Sequence, residues 1–146
     1  MNILYCGDKN IEDGLLISIL SLLKNVREEL CIYVLTIQLE WKGKIFQPVS
    51  NSSIEFLDNL VKQKNSNSFV KKFDITEMYE NEKPSANLNT RFTPFCMIRL
   101  YADKLQELPD KILYLDNDVV CRKDCGNFYN QDIDSLELVG VLDHIR

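Results

Sequence analysis

Three nearly unbroken apolar runs constrain the fold more than anything else in the chain: "NILYC" at 2–6, "LCIYVLTI" at 30–37 and "KILYL" at 111–115. Runs of that kind read as strands buried on both faces of a sheet. The segments between them have the period of a helix. "NIEDGLLISILSLLKNV" carries apolar residues at 15, 16, 19, 20, 22 and 23, and starts at Asn10 among acids. "SNSSIEFLDNLVKQK" predicts a second helix, capped by Ser53 or a neighbouring polar residue. "SFVKKFDI" is a further strand, and its Lys71 and Lys72 point to an edge or a half-exposed face. Residues 76 to 94 read as a long loop broken by Pro84 and Pro94. "FCMIRLYADKLQ" follows as a third helix beginning near Pro94, and "LELVGVLD" as a fifth strand. This β-α-β-α-β order predicts one α/β domain, a mostly parallel sheet flanked by helices. In such sheets ligands sit beyond the carboxyl ends of the strands. Asp8 and Asp116 both fall at that edge.

The bulk composition narrows the function classes. A chain of 146 residues, 45% hydrophobic and 27% charged, is an ordinary globular sequence with room for a sizeable core. Its net charge of −5 and lack of a basic block argue against nucleic acid as the main partner. The five cysteines, Cys6, Cys31, Cys96, Cys121 and Cys125, are odd in number and scattered, which reads as reduced thiols of a cytosolic protein. Cys121 and Cys125 lack the two-residue spacing of a zinc knuckle. The start, "MNILYCGDKN", has no secretory signal, and the longest apolar run, "LLISILSLL", is too short to span a bilayer.

The chemistry gathers at "KILYLDNDVV". Asp116 and Asp118 flank Asn117 at the end of a strand expected to be buried. On an extended backbone that spacing points both carboxylates to one side, where they repel unless a cation sits between them. Spacing alone says little, because a chain with this many aspartates holds about one such pair by chance. Asp132 and Asp134 in "DID" are an internal control with the same spacing, but they follow the polar stretch "NFYNQ" and read as solvated surface.

Two chemistries use an acid pair at a strand end. Haloacid-dehalogenase-type phosphatases put the first Asp to work as nucleophile and the second as acid/base. In that family the pair lies on the first strand, whereas here a β-α-β-α-β half precedes it and 28 residues follow Asp118. The other chemistry is leaving-group stabilisation: carboxylate oxygens hold Mn²⁺ or Mg²⁺, and the metal bridges the diphosphate of a nucleotide-sugar.

The pieces "ILYCGDKN", "SILSLLKN", "FCMIRLYADKL", "DKILYLDNDVVCRKD", "NFYNQDI" and "LVGVLD" occur in one order over nearly the whole chain. As an ordered set they resemble the N-terminal part of glycosyltransferase family 8, retaining enzymes of the GT-A fold that includes lipopolysaccharide galactosyl- and glucosyltransferases. The resemblance implies a Rossmann-like nucleotide-sugar-binding domain, with residues 1–146 as its N-terminal portion. It implies transfer of a hexose from a UDP-sugar to a glycan, lipopolysaccharide or protein-linked acceptor, with Mn²⁺ or Mg²⁺. Asp116 and Asp118 would be the metal-binding and catalytic pair, and Asp116 would also reach the ribose. Cys6, Gly7, Asp8 and Asn10 would hold the uracil and ribose. Arg99 would lie over the diphosphate and sugar, as catalytic and donor-binding residue, and Asn117 would offer its backbone to the nucleotide. A cytoplasmic protein, peripheral at the inner membrane face and without a transmembrane segment, is the implied setting.

One departure matters. The family completes its metal site with a histidine well after the acid pair, in a second half that also carries the acceptor region. The one histidine here, His144, comes too early for that role and reads as a loop residue. The competing reading is therefore a non-catalytic fragment that binds UDP and metal only, with exposed apolar surface that would favour homo-oligomers.

Overall fold

A computed structural model describes residues 1–84, 94–133 and 136–140. Its elements run in chain order β1 (Asn2–Cys6), α1 (Glu12–Asn25), β2 (Cys31–Thr36), β3 (Leu39–Trp41), β4 (Lys44–Phe46), α2 (Asn51–Lys64), β5 (Phe69–Asp74), α3 (Thr76–Asn81), α4 (Pro94–Met97), β6 (Leu113–Tyr114) and α5 (Gly126–Tyr129). Four strands make one parallel sheet in the order β5-β2-β1-β6. The two N-terminal strands thus sit in the middle, flanked on both sides by strands from later in the chain. β3 and β4 form a separate antiparallel hairpin.

Register fixes what each face carries. Leu4 pairs with Tyr33 on one side and Tyr114 on the other, and Cys6 pairs with Leu35. Because side chains alternate along a strand, Ile3, Tyr5, Ile32, Val34 and Val70 share one face. That face packs on Leu15, Ile19 and Leu22 of α1 and on Leu57 and Val61 of α2. Each of these aliphatic side chains contributes about 2 kcal/mol by burial. Leu4, Tyr33, Leu35 and Phe73 share the opposite face, covered by Tyr79 of α3 and by Ile98 and Tyr101.

Local chemistry sets the boundaries. Glu12 and Asp13 stand in the first turn of α1, where the helix dipole favours acids. Ser50 caps α2 by accepting from the Ser53 amide at 3.2 Å. β5 is an outer strand, and its Lys71 and Lys72 guard an edge that could otherwise template further pairing.

Several expectations change. The hairpin at 39–46 was not foreseen; its turn residues Lys42 (φ 50) and Gly43 (φ 72) both take positive φ, as a two-residue hairpin turn demands. The presumed loop after β5 begins with α3. The third helix is one α-helical turn followed by a 3₁₀ stretch, Ile98–Lys104. In a 3₁₀ helix residues three apart align, which turns Ile98 and Tyr101 together into the core. "KILYL" pairs over only two residues and is half-buried rather than buried, because β6 is the outermost described strand on its side. Residues 136–140 of the expected fifth strand form no strand, and Leu138 is 86% exposed; apolar content without a pairing partner does not make a strand. The rest of that segment lies outside the described residues. No described helix is long and apolar enough to cross a membrane.

Candidate functional site at the carboxyl ends of β1 and β6

β1 and β6 are neighbours in the sheet, so the segments leaving their carboxyl ends meet. After β1, Gly7 donates its amide to the Leu35 carbonyl at 3.0 Å and continues the pairing with β2. A Cβ on Gly7 would come within 2.7 Å of the Ile11 side chain, which suits glycine to this tight exit. Asp8 is buried and caps the 3₁₀ turn Lys9–Ile11: it accepts from the Asn10 amide at 3.2 Å and from Asn10 Nδ2 at 2.7 Å. Asp8 and Asn10 thus hold one another as a preformed polar turn. The unforeseen hairpin buttresses it, since the Lys9 amide donates to the Gln47 carbonyl at 2.7 Å.

After β6, the Leu115 amide still pairs with the Leu4 carbonyl, and then the chain turns, with the Val119 amide donating to the Asp116 carbonyl at 3.1 Å. The backbone between Asp116 and Asp118 is therefore a turn, so strand alternation does not set the two carboxylates on one side as the sequence pattern predicts. Both carboxylates are exposed, while Asn117 is half-buried between them. Asn117 is turned onto α1: a Cβ on Gly14 would lie 2.6 Å from its Nδ2 and 2.8 Å from its carbonyl oxygen. The glycine makes the close approach possible. Two further bonds clasp the segment to the same helix, from the Cys121 amide to Ser21 Oγ and from Asn25 Nδ2 to the Cys121 carbonyl, each 2.8 Å.

Arg99 arrives from the 3₁₀ stretch. Its Nη2 stands 3.5 Å from Asp116 Oδ1, its Nε donates to the Cys96 carbonyl at 3.0 Å, and its guanidinium lies 4.2 Å from the Tyr114 ring centroid. Tyr114 in turn donates its hydroxyl to Asp116 Oδ1 at 2.5 Å. Burial, and then that bond to Asp116, push the Tyr114 phenol up, so it remains a donor at neutral pH. Burial pushes the Cys6 thiol up to about 12; Arg99 pulls it down and Asp116 adds to the rise. Cys6 is thus a neutral S–H rather than a nucleophilic thiolate.

Of the residues singled out in sequence, Cys6, Arg99 and Asp116 come together, with the Gly7, Asp8 and Asn10 turn at the neighbouring strand end. Asp118 lies on the exposed side of the acid turn. Asp132 is exposed; Asp134 and His144 lie outside the described residues. Sequence reasoning missed Tyr114 and Gly14. Tyr114 was legible in principle as the residue two before Asp116, on the same strand face. Nothing local marks Gly14, whose partner is about a hundred residues away.

The model of glycosyl transferase family 8 matches residues 2–145. The chain belongs to glycosyl transferase family 8. No curated protein matches this family 8 chain significantly by sequence. Two crystal structures of the galactosyltransferase LgtC share its fold, each with a TM-score of 0.66. One, a complex with donor and acceptor sugar analogues, is 18% identical, and the other, an active-site mutant, is 20% identical. Each alignment covers 91% of this chain and 43% of LgtC, so the family 8 chain spans less than half the length of those solved structures. The fold is GT-A-like, with the parallel sheet flanked by helices that the sequence pattern predicted.

Proposed function

We propose that residues 1–146 form the donor-binding portion of a metal-dependent UDP-sugar glycosyltransferase. The parent activity in this reading moves galactose or glucose to a glycan, lipopolysaccharide or protein-linked acceptor with retention at the anomeric carbon. Family membership supports transfer of a sugar as the reaction class. The observation that carries the site is Arg99 held 3.5 Å from Asp116 where β1 and β6 end side by side.

The donor set suits a hard divalent cation, Mn²⁺ or Mg²⁺. Carboxylate oxygens are the right ligands, and Asp116 and Asp118 are both exposed where β6 ends. Among the described residues no group of three or more His, Cys, Asp or Glu side chains makes a metal cage. Asp116 and Asp118 would be the ligands that the described residues contribute to such a cation. Bound there, it would supply Lewis-acid stabilisation of the departing nucleotide.

The chain's own residues divide the remaining work. Asp8 and Asn10 present a rigid polar turn to the nucleoside, with Gly7 leaving room for Ile11 beneath it. Asn117 rests on α1 through its side-chain amide and its carbonyl oxygen, and in this reading its backbone N–H is the group that would serve the nucleotide. Arg99 carries charge toward the diphosphate and sugar, where it offsets the negative charge that develops as the sugar–oxygen bond breaks. Cys6, a neutral thiol, does not compete as a nucleophile. A cytoplasmic protein at the inner membrane face suits a lipid-linked acceptor.

Calorimetry of UDP binding with and without Mn²⁺ tests this. Asp118→Asn is expected to abolish the metal-dependent part of the affinity, and Asp132→Asn to leave it unchanged. Equal UDP affinity with and without Mn²⁺ in the unsubstituted protein would sink the assignment. A panel of UDP-sugars in the same experiment then ranks the hexose.

A further inference from the structure

Tyr114 has no part in the donor-site reading, yet it touches both charged groups on which that reading depends. Its hydroxyl donates to Asp116 Oδ1 at 2.5 Å, and the face of its ring carries the Arg99 guanidinium at 4.2 Å. Arg99 Nη2 approaches the same Oδ1 to 3.5 Å. Sheet geometry explains the first contact, since Tyr114 and Asp116 are two residues apart and share a face. The ring itself is fixed at one edge by β1, where Tyr114 pairs with Leu4, and by packing on the apolar cluster of that face. Arg99 is fixed at its other end by its Nε bond to the Cys96 carbonyl.

Three side chains thus form a closed triangle with one rigid member. A hydroxyl donating to a carboxylate is a strong, charge-assisted bond, and a guanidinium over a tyrosine face is an attractive contact. Asp116 is an exposed side chain that would otherwise sample several rotamers. A ligand with one side chain so oriented loses less entropy when a cation arrives.

We propose that Tyr114 is a positioning residue: its hydroxyl orients the Asp116 carboxylate for a divalent cation, and its ring holds Arg99 over the donor diphosphate. The inference rests on the donor-site reading and extends it to the group that orders the site. A purely packing role makes a different prediction, because Tyr114→Phe keeps the ring and removes only the hydroxyl.

The experiment measures Mn²⁺ affinity in the presence of UDP, UDP affinity without metal, and melting temperature. Three proteins are compared: the unsubstituted chain, Tyr114→Phe and Tyr114→Leu. Tyr114→Phe is expected to lose about tenfold in Mn²⁺ affinity, with metal-free UDP affinity and melting temperature unchanged. Tyr114→Leu is expected to lose the metal affinity and also about threefold in metal-free UDP affinity, because Arg99 has lost its platform. Unchanged Mn²⁺ affinity in Tyr114→Phe overturns the proposal, and so does a loss matched by an equal fall in folding stability. Asp118→Asn run alongside separates the two readings: if it still binds UDP in a metal-dependent way, the donor-site assignment itself is wrong.

Discussion

The two faces of the sheet are made from alternate residues of the same strands, yet they differ in chemistry. The face under α1 and α2 is mostly aliphatic; its buried tyrosine, Tyr5, is answered inside the core by Ser18 Oγ at 2.7 Å, and Tyr129 packs at its margin. The opposite face carries Tyr33, Phe73, Tyr79, Tyr101 and Tyr114 with Cys6, and at its carboxyl end it opens onto Asp116 and Arg99. Tyrosine has an apolar body and a polar tip, so a layer of tyrosines can be packed and still hand hydroxyls to a site. The first face holds the domain together and the second places groups.

The largest test of that contrast is a pair of truncations. Ile19→Ala, on the aliphatic face, is expected to cost about 3 kcal/mol in urea unfolding. Tyr101→Phe, which on the other face loses a single bond to the Glu82 carbonyl, is expected to cost about 1 kcal/mol. A reversed order would break the comparison. Next in size is Gly14→Ala, whose new Cβ meets Asn117 from the aliphatic side. Overpacking of this kind costs about 1–2 kcal/mol, and Mn²⁺-dependent UDP binding is expected to weaken with it, showing that the closed face supports the open one.

Acid provides a third probe. Burial pushes the Asp58 carboxyl up, but bonds from Lys62 Nζ and the Val70 amide outweigh it and leave the group below its ordinary value. Glu12 is lowered in the same way, with bonds from Ser50 and Ser53 outweighing burial. A depressed folded-state value means stability that is present above the unfolded carboxylate range and lost as pH falls through it. Asp58→Asn is therefore expected to cost about 1–2 kcal/mol at neutral pH and to flatten the acid limb of the stability curve. The smallest effect belongs to the sheet edge: Lys71→Ala breaks an exposed 3.4 Å pair with Glu107 and is expected to change stability by about 0.5 kcal/mol or less. Light scattering of that variant would show whether the lysine guards the edge.

These contrasts also separate what the sequence disclosed from what it hid. β1, β2, β5, α1 and α2 were legible because burial imposes a period on the residues themselves. The position of Asp8 and Asp116 at one end of the sheet followed, since parallel strands put their carboxyl ends on the same side. "KILYL" misled because its apolar residues face a half-covered edge rather than a closed core. The hairpin was missed although "WKGK" carries the glycine of its turn, because three-residue strands are too short to display alternation. The turn at Asp116 overrode the strand logic of the acid pair, and no local pattern could announce that Asn117 would rest on Gly14.

That last contact, with the Ser21 and Asn25 clasps to Cys121, has a consequence for the order of folding. Ser21 and Cys121 are 100 residues apart in the chain, so the segment bearing the acids acquires its shape only when the first helix and the last described strand have met. Closing so long a loop carries a large entropic cost that local contacts cannot offset. The acid turn is then among the last parts of the domain to become native. A chain emerging from the ribosome would have β1, α1 and β2 in hand long before β6 and the acid turn could join them.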